Sequence, residues 1–351
     1  MEDQLSNIIS LEFRAKVESF KAFLINIKDE FDSFDRKHAD QAAKIDFVLS
    51  KKDEIFTQFD AFFRDIWPYI ESLDKKAIRV YQDYYQSILG SPLLEAEINK
   101  YIKEKPLGYP GDFVMMNYIY DYHKNFLGAS SLEILINCYT TNIPISCSNI
   151  KRKEYFKQKL VEILESKEAP RIASIGCGSA RELIELVEAG AIKKPLLFSC
   201  VDFEKKALYH IKDSLAKIDQ SKKETLVVKY HHVDMRFLSQ ENELVDKLGQ
   251  HDFVYASGLF DYLGKFLAKK VMLALFNLVN NSGLLIVVNA GVKDSHFRSY
   301  YEMLGAWKFA HRLEEEIIEW AQELKGASSV EFEKFSFPMN YLFLAIKKAK
   351  I

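Results

Sequence analysis

The sequence predicts an α/β chain in two parts, an all-α helical region over residues 1–166 and a seven-stranded, mostly parallel sheet over 167–351. Three observations carry this. Up to about Lys167, apolar residues recur three and four positions apart, the spacing of amphipathic helices. After Pro170, short apolar runs alternate with helical stretches, as in a parallel sheet covered on both faces. The chain's 351 residues also exceed the roughly 100–200 of a usual single domain.

In the first part, Leu24, Ile27, Phe31 and Phe34 mark one helical face, and Phe56, Phe59, Phe63 and Trp67 another. Breakers at Gly90-Ser91-Pro92, between Pro106 and Gly111, and at Pro144 separate the helices. The many aromatics are expected to fill this helical core. In the second part the expected strands are Arg171 to Ile175, Leu196 to Val201, Leu226 to Val233, Phe253 to Ala256, Leu284 to Asn289, Val330 to Phe335 and Tyr341 to Ile346. Helical periodicity fills Glu182 to Ala189, Glu204 to Ile218, Lys265 to Val279 and Leu313 to Leu324. No helix separates the last two strands, so they are expected to pair as an antiparallel hairpin.

Composition excludes several classes. Hydrophobic residues at 48% and charged residues at 28% are globular values, not those of a disordered or low-complexity chain. With 48 Lys and Arg against 50 Asp and Glu there is no broad basic footprint, so nucleic acid is not an expected partner. Cys138, Cys147, Cys177 and Cys200 form no C-x-x-C pair, and no metal site is expected. The opening MEDQLSNIIS does not read as an export signal. The longest apolar runs, such as Leu284 to Val288, are far shorter than the ~20 residues of a membrane span. A cytoplasmic protein without a transmembrane segment is expected.

The most informative segment runs from Ile172 through Gly176-Cys177-Gly178-Ser179-Ala180 to Glu182, a strand that turns through two glycines into a helix. Glycines let backbone approach a ligand, and a helix start offers amides to an anion. A dinucleotide fingerprint would need glycine at 181, where the chain has Arg181, so NAD is disfavoured. Asp202, followed by Phe203, ends the second strand, and Asp234, followed by Met235, ends the third. Carboxylates at successive strand ends can accept from ribose hydroxyls and from an exocyclic amine, in the crevice where open parallel sheets bind ligands. Each acid is also a common turn residue.

Gly176-Cys-Gly-Ser-Ala180, Asp202, Asp234 and the segment from Phe253 through Ser257-Gly258-Leu259 to Tyr262 together resemble a class I S-adenosylmethionine-dependent methyltransferase over residues 168 to 351. The resemblance implies a Rossmann-like, seven-stranded, mostly parallel sheet with an antiparallel last strand. It also implies that Gly176, Gly178 and the residues between and after them meet the methionine part, Asp202 the ribose and Asp234 the adenine. Departures are Ser174, where an acid is common, and Ala180, where a third glycine is usual. A narrower resemblance rests on Gly178 to Glu182, on Ser257 to Tyr262 and on Gly108-Tyr109-Pro110-Gly111-Asp112 through Asn117. With the later stretch from Phe297 to Trp307, it is similar to a bacterial group labelled as hydroxy fatty acid (3-hydroxypalmitate) methyl ester biosynthesis proteins. That implies a helical region acting as lid and acceptor pocket, and O-methylation of a small or lipid-like acceptor.

On the acceptor side, methyl transfer from a sulfonium mainly requires alignment and exclusion of water. A hydroxyl acceptor would benefit from a base, for which His296, Asp112 and Asp261 are candidates, whereas a carboxylate acceptor needs none. Tyr109 and Asp112 fit a loop near the cofactor, or Asp112 a helix cap. Tyr262 fits the methyl-transfer region or a packed aromatic. Arg298, Tyr300, Tyr301 and Arg312 are candidates for holding an anionic substrate, with surface pairing to Glu314 to Glu316 the alternative for Arg312. The segment after the fourth strand lacks the Asn/Asp-Pro-Pro-Tyr/Phe pattern of exocyclic-amine methyltransferases. A cofactor-binding protein without catalysis, using its helical half on a protein partner, is the alternative, and a homodimer stays open.

Overall fold

The computed structural model describes residues 9–234, 238, 241–292, 297–335 and 340–350. The chain divides into two compact units, Met1–Cys147 with Asp294–Lys308, and Ser148–Lys293 with Phe309–Ile351. Residues 294–308, read from the sequence as part of the sheet region, thus group with the helical unit, and 148–166 with the sheet.

The helical unit contains α1 (Leu11–Asp35), α2 (Gln41–Ile66), α3 (Lys75–Leu93), α4 (Glu97–Glu104), α5 (Phe113–Asn125), α6 (Ser131–Asn142) and an inserted helix, Arg298–Gly305. Side-chain caps start most of them: Ser10, Asp40, Asp74, Asp112 and Ser130 each accept from first-turn amides. The aromatic residues form the core, as their spacing predicts. Phe20 stacks on Phe62 at 3.9 Å between centroids, and Tyr300 of the inserted helix meets Phe63 and Tyr139 edge-on at 4.9 and 5.4 Å.

The inserted helix belongs here because its polar groups are satisfied here. Ser299 donates to the Phe63 carbonyl at 2.8 Å, and the Tyr300 hydroxyl meets Asn99 Oδ1 at 2.9 Å and Thr140 Oγ1 at 2.6 Å. Its last carbonyls accept from the side-chain amides of Gln82 (2.7 Å to Glu302, which also takes Ala306 N) and Gln86 (2.9 Å to Leu304). Gly305 ends it against α4, where a β-carbon would stand 2.8 Å from the Ile102 carbonyl oxygen.

The second unit opens with α7 (Pro144–Ser166), whose first turn contains the division. There follow β1 (Arg171–Ile175), α8 (Arg181–Glu188), β2 (Leu196–Asp202), α9 (Lys205–Ala216), β3 (Leu226–His232), α10 (Glu241–Leu248), β4 (His251–Ala256), α11 (Lys265–Asn277), β5 (Val279–Ala290), α12 (Glu314–Gln322), β6 (Ala327–Phe332) and β7 (Tyr341–Lys348). They build one Rossmann-like seven-stranded sheet in the order β3-β2-β1-β4-β5-β7-β6. β1 to β5 pair in parallel, and β7 runs antiparallel to both β5 and β6, so the expected hairpin forms.

Alternate strand residues face opposite layers. Ala173, Ile175, Val254 and Ala256 join the core under α11 and α12 with Met272 and Trp320. On the other face Phe156 of α7 stacks on Tyr255 at 4.5 Å. The strand order reverses between β1 and β4, and open sheets bind ligands outside the carboxyl ends at such a reversal.

Asn99 is the hub of the buried network in the helical unit, since it also donates to the Leu93 carbonyl at 3.0 Å. Asn99→Ala is expected to lower unfolding stability by about 2–4 kcal/mol, because several buried groups lose partners at once. Tyr300→Phe should cost only about 1 kcal/mol, since Asn99 keeps Thr140 at 3.0 Å. Urea titrations of both variants check the order.

Candidate functional site

The loop after β1 alternates in handedness. Gly176, Gly178 and Ala180 have φ of 64°, 53° and 43°, while Cys177 and Ser179 do not take positive φ. Glycine adopts this conformation freely, but alanine does so at a cost of roughly 1–2 kcal/mol. Ala180 is therefore held by its surroundings, and as the position before α8 it fixes where that helix starts.

The end of β2 holds this loop. The Val201 carbonyl accepts from Gly176 N at 2.8 Å and Cys177 N at 3.1 Å, and Asp202 Oδ2 accepts from Gly178 N at 2.8 Å. Asp202 Oδ1 accepts from Glu204 N at 2.9 Å, and the Asp202 carbonyl from Val233 N at 3.0 Å. One carboxylate, only 5% exposed, thus sets the loop after β1 and the turn after β2, while its carbonyl tethers the end of β3. Burial raises its pKa, opposed by the Glu204 and Gly178 amides. The loop amides at 176, 177 and 178 are accordingly spent within the fold.

Beside Asp202, Phe203 presents an aromatic ring at 40% exposure, and Asp234 is exposed just past β3. Across the reversal, a β-carbon on Gly176 would lie 3.5 Å from that of Leu259, so the loops after β1 and β4 touch. Ser257, Gly258 and Leu259 line that second loop. The β1, β2, β3 and β4 ends of one unit therefore gather Gly176, Cys177, Gly178, Ser179, Ala180, Asp202, Phe203, Asp234, Ser257, Gly258 and Leu259 along one rim. Met235 lies outside the described residues.

Beneath the rim, the Tyr255 hydroxyl donates to Glu182 Oε1 at 2.6 Å. Burial holds the Glu182 carboxyl above its ordinary range. Neither residue was singled out from the sequence. Glu182 supplies a carboxylate near β1, and Tyr255 pairs with Ser174 in register.

The short helical turn Phe260–Tyr262 follows β4. Asp261, 2% exposed, accepts from Ala290 N at 2.6 Å and lies 3.7 Å from Arg152. Burial pushes its carboxyl up to about 7, against the lowering pull of Arg152, the Ala290 amide and Arg312. Arg312 is itself buried and donates to the Phe260 carbonyl at 2.8 Å, to the Leu263 carbonyl and to Asn289 Oδ1. It is a strut between the β4 and β5 ends, and it also pairs with Glu316 at 4.0 Å. The expected pairing with the acidic run is thus present at Glu316, but from a buried guanidinium and not on the surface. Tyr262, 41% exposed, brings its ring to 6.0 Å from Phe309.

The remaining candidates belong to the helical unit or lie outside the described residues. His296 lies outside the described residues. Asp112 is fully buried in the helical unit, where Oδ1 caps α5 through Val114 N and Met115 N and Oδ2 accepts from Tyr101 at 2.8 Å. Its carboxylate is thus a helix cap, and Tyr109 lies partly buried in the loop before it. Arg298 pairs with Glu302 at 2.6 Å and lies over the Trp67 ring. Among the described residues no group of three or more His, Cys, Asp or Glu is placed to hold a metal, and no helix is long and apolar enough to cross a membrane.

No protein-family model matches the chain, and no curated protein matches it. Among solved structures, a possible exported protein from Bordetella parapertussis is similar over 85% of this chain and 97% of that one, at 14% identity and a TM-score of 0.58. Magnesium protoporphyrin IX methyltransferase from Synechocystis PCC 6803, with bound SAM, is similar over 67% of this chain and 96% of that one, at 15% identity and a TM-score of 0.40. The CMeT domain of the citrinin polyketide synthase covers 58% of this chain and 54% of its own, at 13% identity and a TM-score of 0.44. The likeness to the first is one of fold.

Asp261 gives a pH test. Its proton is bound more tightly in the folded than in the unfolded chain, so its contribution lowers stability as pH rises from about 4 to about 7. Asp261→Asn is expected to remove about 1–3 kcal/mol of that decline. Chemical unfolding of both proteins across this window checks the slope.

Proposed function

We propose that the chain is an S-adenosylmethionine-dependent methyltransferase that methylates oxygen on a small or lipid-like acceptor, a carboxylate becoming a methyl ester being the form we favour. The single observation that carries the cofactor is the rim at the β1/β4 reversal, where left-handed Gly176 and Gly178 stand beside buried Asp202. The residues present fit an adenosyl group. Asp202 has accepting capacity for ribose hydroxyls beyond its backbone amide bonds, Phe203 offers a ring face to a flat purine, and Asp234 suits an exocyclic amine.

S-adenosylmethionine supplies a methyl group on a sulfonium, transferred by in-line displacement. The chain's work is then to hold, align and exclude water. The β2 end fixes the loop that receives the amino-acid side of the cofactor, and Arg312 and Asn289 fix the Phe260–Tyr262 turn that carries Tyr262. Oxygen as acceptor is supported by the post-β4 sequence Ser257-Gly258-Leu259-Phe260, which has no Asn/Asp-Pro-Pro element to grip an amine. A carboxylate acceptor is already ionised and needs no base.

Isothermal titration of S-adenosylhomocysteine into the full chain tests the reading, with saturable binding expected. Asp202→Ala should weaken it by about 1.5–3 kcal/mol, the size of a hydrogen bond to a charged group. Unchanged affinity would remove the ribose role. Transfer of labelled methyl to a fatty-acid extract is expected, and cofactor binding without any labelled product would favour the non-catalytic alternative.

A further inference from the structure

Glu182 stands in the first turn of α8, directly after the loop that follows β1. An acid there suits the positive end of the helix dipole, which would be reason enough for an exposed one. What Glu182 reaches sets it apart. Its Oε1 accepts from the Tyr255 hydroxyl at 2.6 Å, and Tyr255 is fully buried, stacked on Phe156 at 4.5 Å and on Phe253 at 5.2 Å. Tyr255 pairs in register with Ser174, which places this contact two residues short of Gly176 on β1 and of Ser257 on β4. Ser174 and Tyr255 are buried, whereas Glu182 is only half-buried. The side chain thus joins a dry tyrosine to the accessible edge of the rim.

The carboxylate has no cation of its own. Its donors are the Tyr255 hydroxyl and its own amide, both neutral, and burial outweighs them in setting its proton affinity. Lys153, whose charge it feels, is bound to Glu185 and to Glu154, and Lys157 is bound to Glu185 at 2.8 Å. Among the described residues no Lys, Arg or His forms an ion pair with Glu182. A carboxylate offers about four acceptor positions, so it can take donors from outside the chain. Charge withdrawn from water is costly unless paired, and the partner that fits is a compact cation with several N–H groups, an ammonium.

We infer that Glu182 receives the α-ammonium of the cofactor's amino-acid end. This rests on the methyltransferase reading and gives that end a direction: Glu182 attracts the ammonium and repels the α-carboxylate beside it. The Tyr255 bond holds the carboxylate in place before the ligand arrives.

Isothermal titration on the full chain compares S-adenosylhomocysteine with its desamino analogue, in which hydrogen replaces the α-amino group. Wild type is expected to prefer S-adenosylhomocysteine by roughly tenfold or more, the effect of a charge-assisted hydrogen bond. Glu182→Gln keeps the side chain's size and an acceptor for Tyr255 but removes the charge. It should weaken S-adenosylhomocysteine by roughly tenfold while the analogue stays within about twofold. Equal affinity of Glu182→Gln and wild type for S-adenosylhomocysteine, or a wild type that binds both ligands alike, overturns the assignment. If Glu182→Gln weakens or loses both ligands alike, Glu182→Asp decides, since it keeps the charge but withdraws it by one methylene: a several-fold fall in the preference supports the anchor, and an unchanged preference overturns it. Wild type binding neither ligand overturns the methyltransferase reading together with the inference, whereas the other adverse results remove the inference alone.

Discussion

The hydrogen bond from the Gly178 amide to buried Asp202 is the constraint on which the rim depends. A loop that switches handedness at every other residue would be a loose turn if its amides faced water. Here the β2 end takes those amides, so the loop after β1 is built as part of the neighbouring strand's terminus. The same carboxylate orders the turn into α9, and the same residue's carbonyl tethers the β3 end. Ala180 is affordable in a glycine-like conformation because this scaffold over-determines it.

A second constraint is charge in a dry place. Asp261, Arg152 and Arg312 are all buried at the β4 and β5 ends. Buried ion pairs add little net stability, since desolvation offsets most of their attraction. Their value lies in geometry: Arg312 ties three polar groups across two strand ends, and Arg152 keeps a cation beside a side-chain-free position. The rim is thus braced from below.

Much of this was legible in the sequence. The seven strands stand at the short apolar runs, the inner ones largely buried and the edge strands β3 and β6 only partly covered. β1 matches its expected limits, while β5 begins five residues earlier, at Val279, where the polar Asn280, Asn281 and Ser282 hid a strand entry. Missed were α10 and the inserted helix, each of eight residues. The reassignment of 294–308 was not legible, since it rests on Asn99, Thr140 and Gln82, far away in the chain. At the rim, glycines and strand-end acids announce themselves. Arg152 did not, because Lys151-Arg152-Lys153 reads as a solvated run. The signal was its place on the apolar stripe with Phe156 and Leu160, both buried. Arg312 misled for the converse reason: the acidic run beside it suggested a surface pair, while its guanidinium turns inward to carbonyls.

Amide hydrogen exchange with and without S-adenosylhomocysteine tests the central claim most directly, because it reports on the backbone that is supposed to form the cradle. The account requires slowed exchange in peptides covering 174–181 and 202–205, on the two sides of the Gly178 to Asp202 bond. Protection confined to other parts of the chain, or none at saturating ligand, would contradict it.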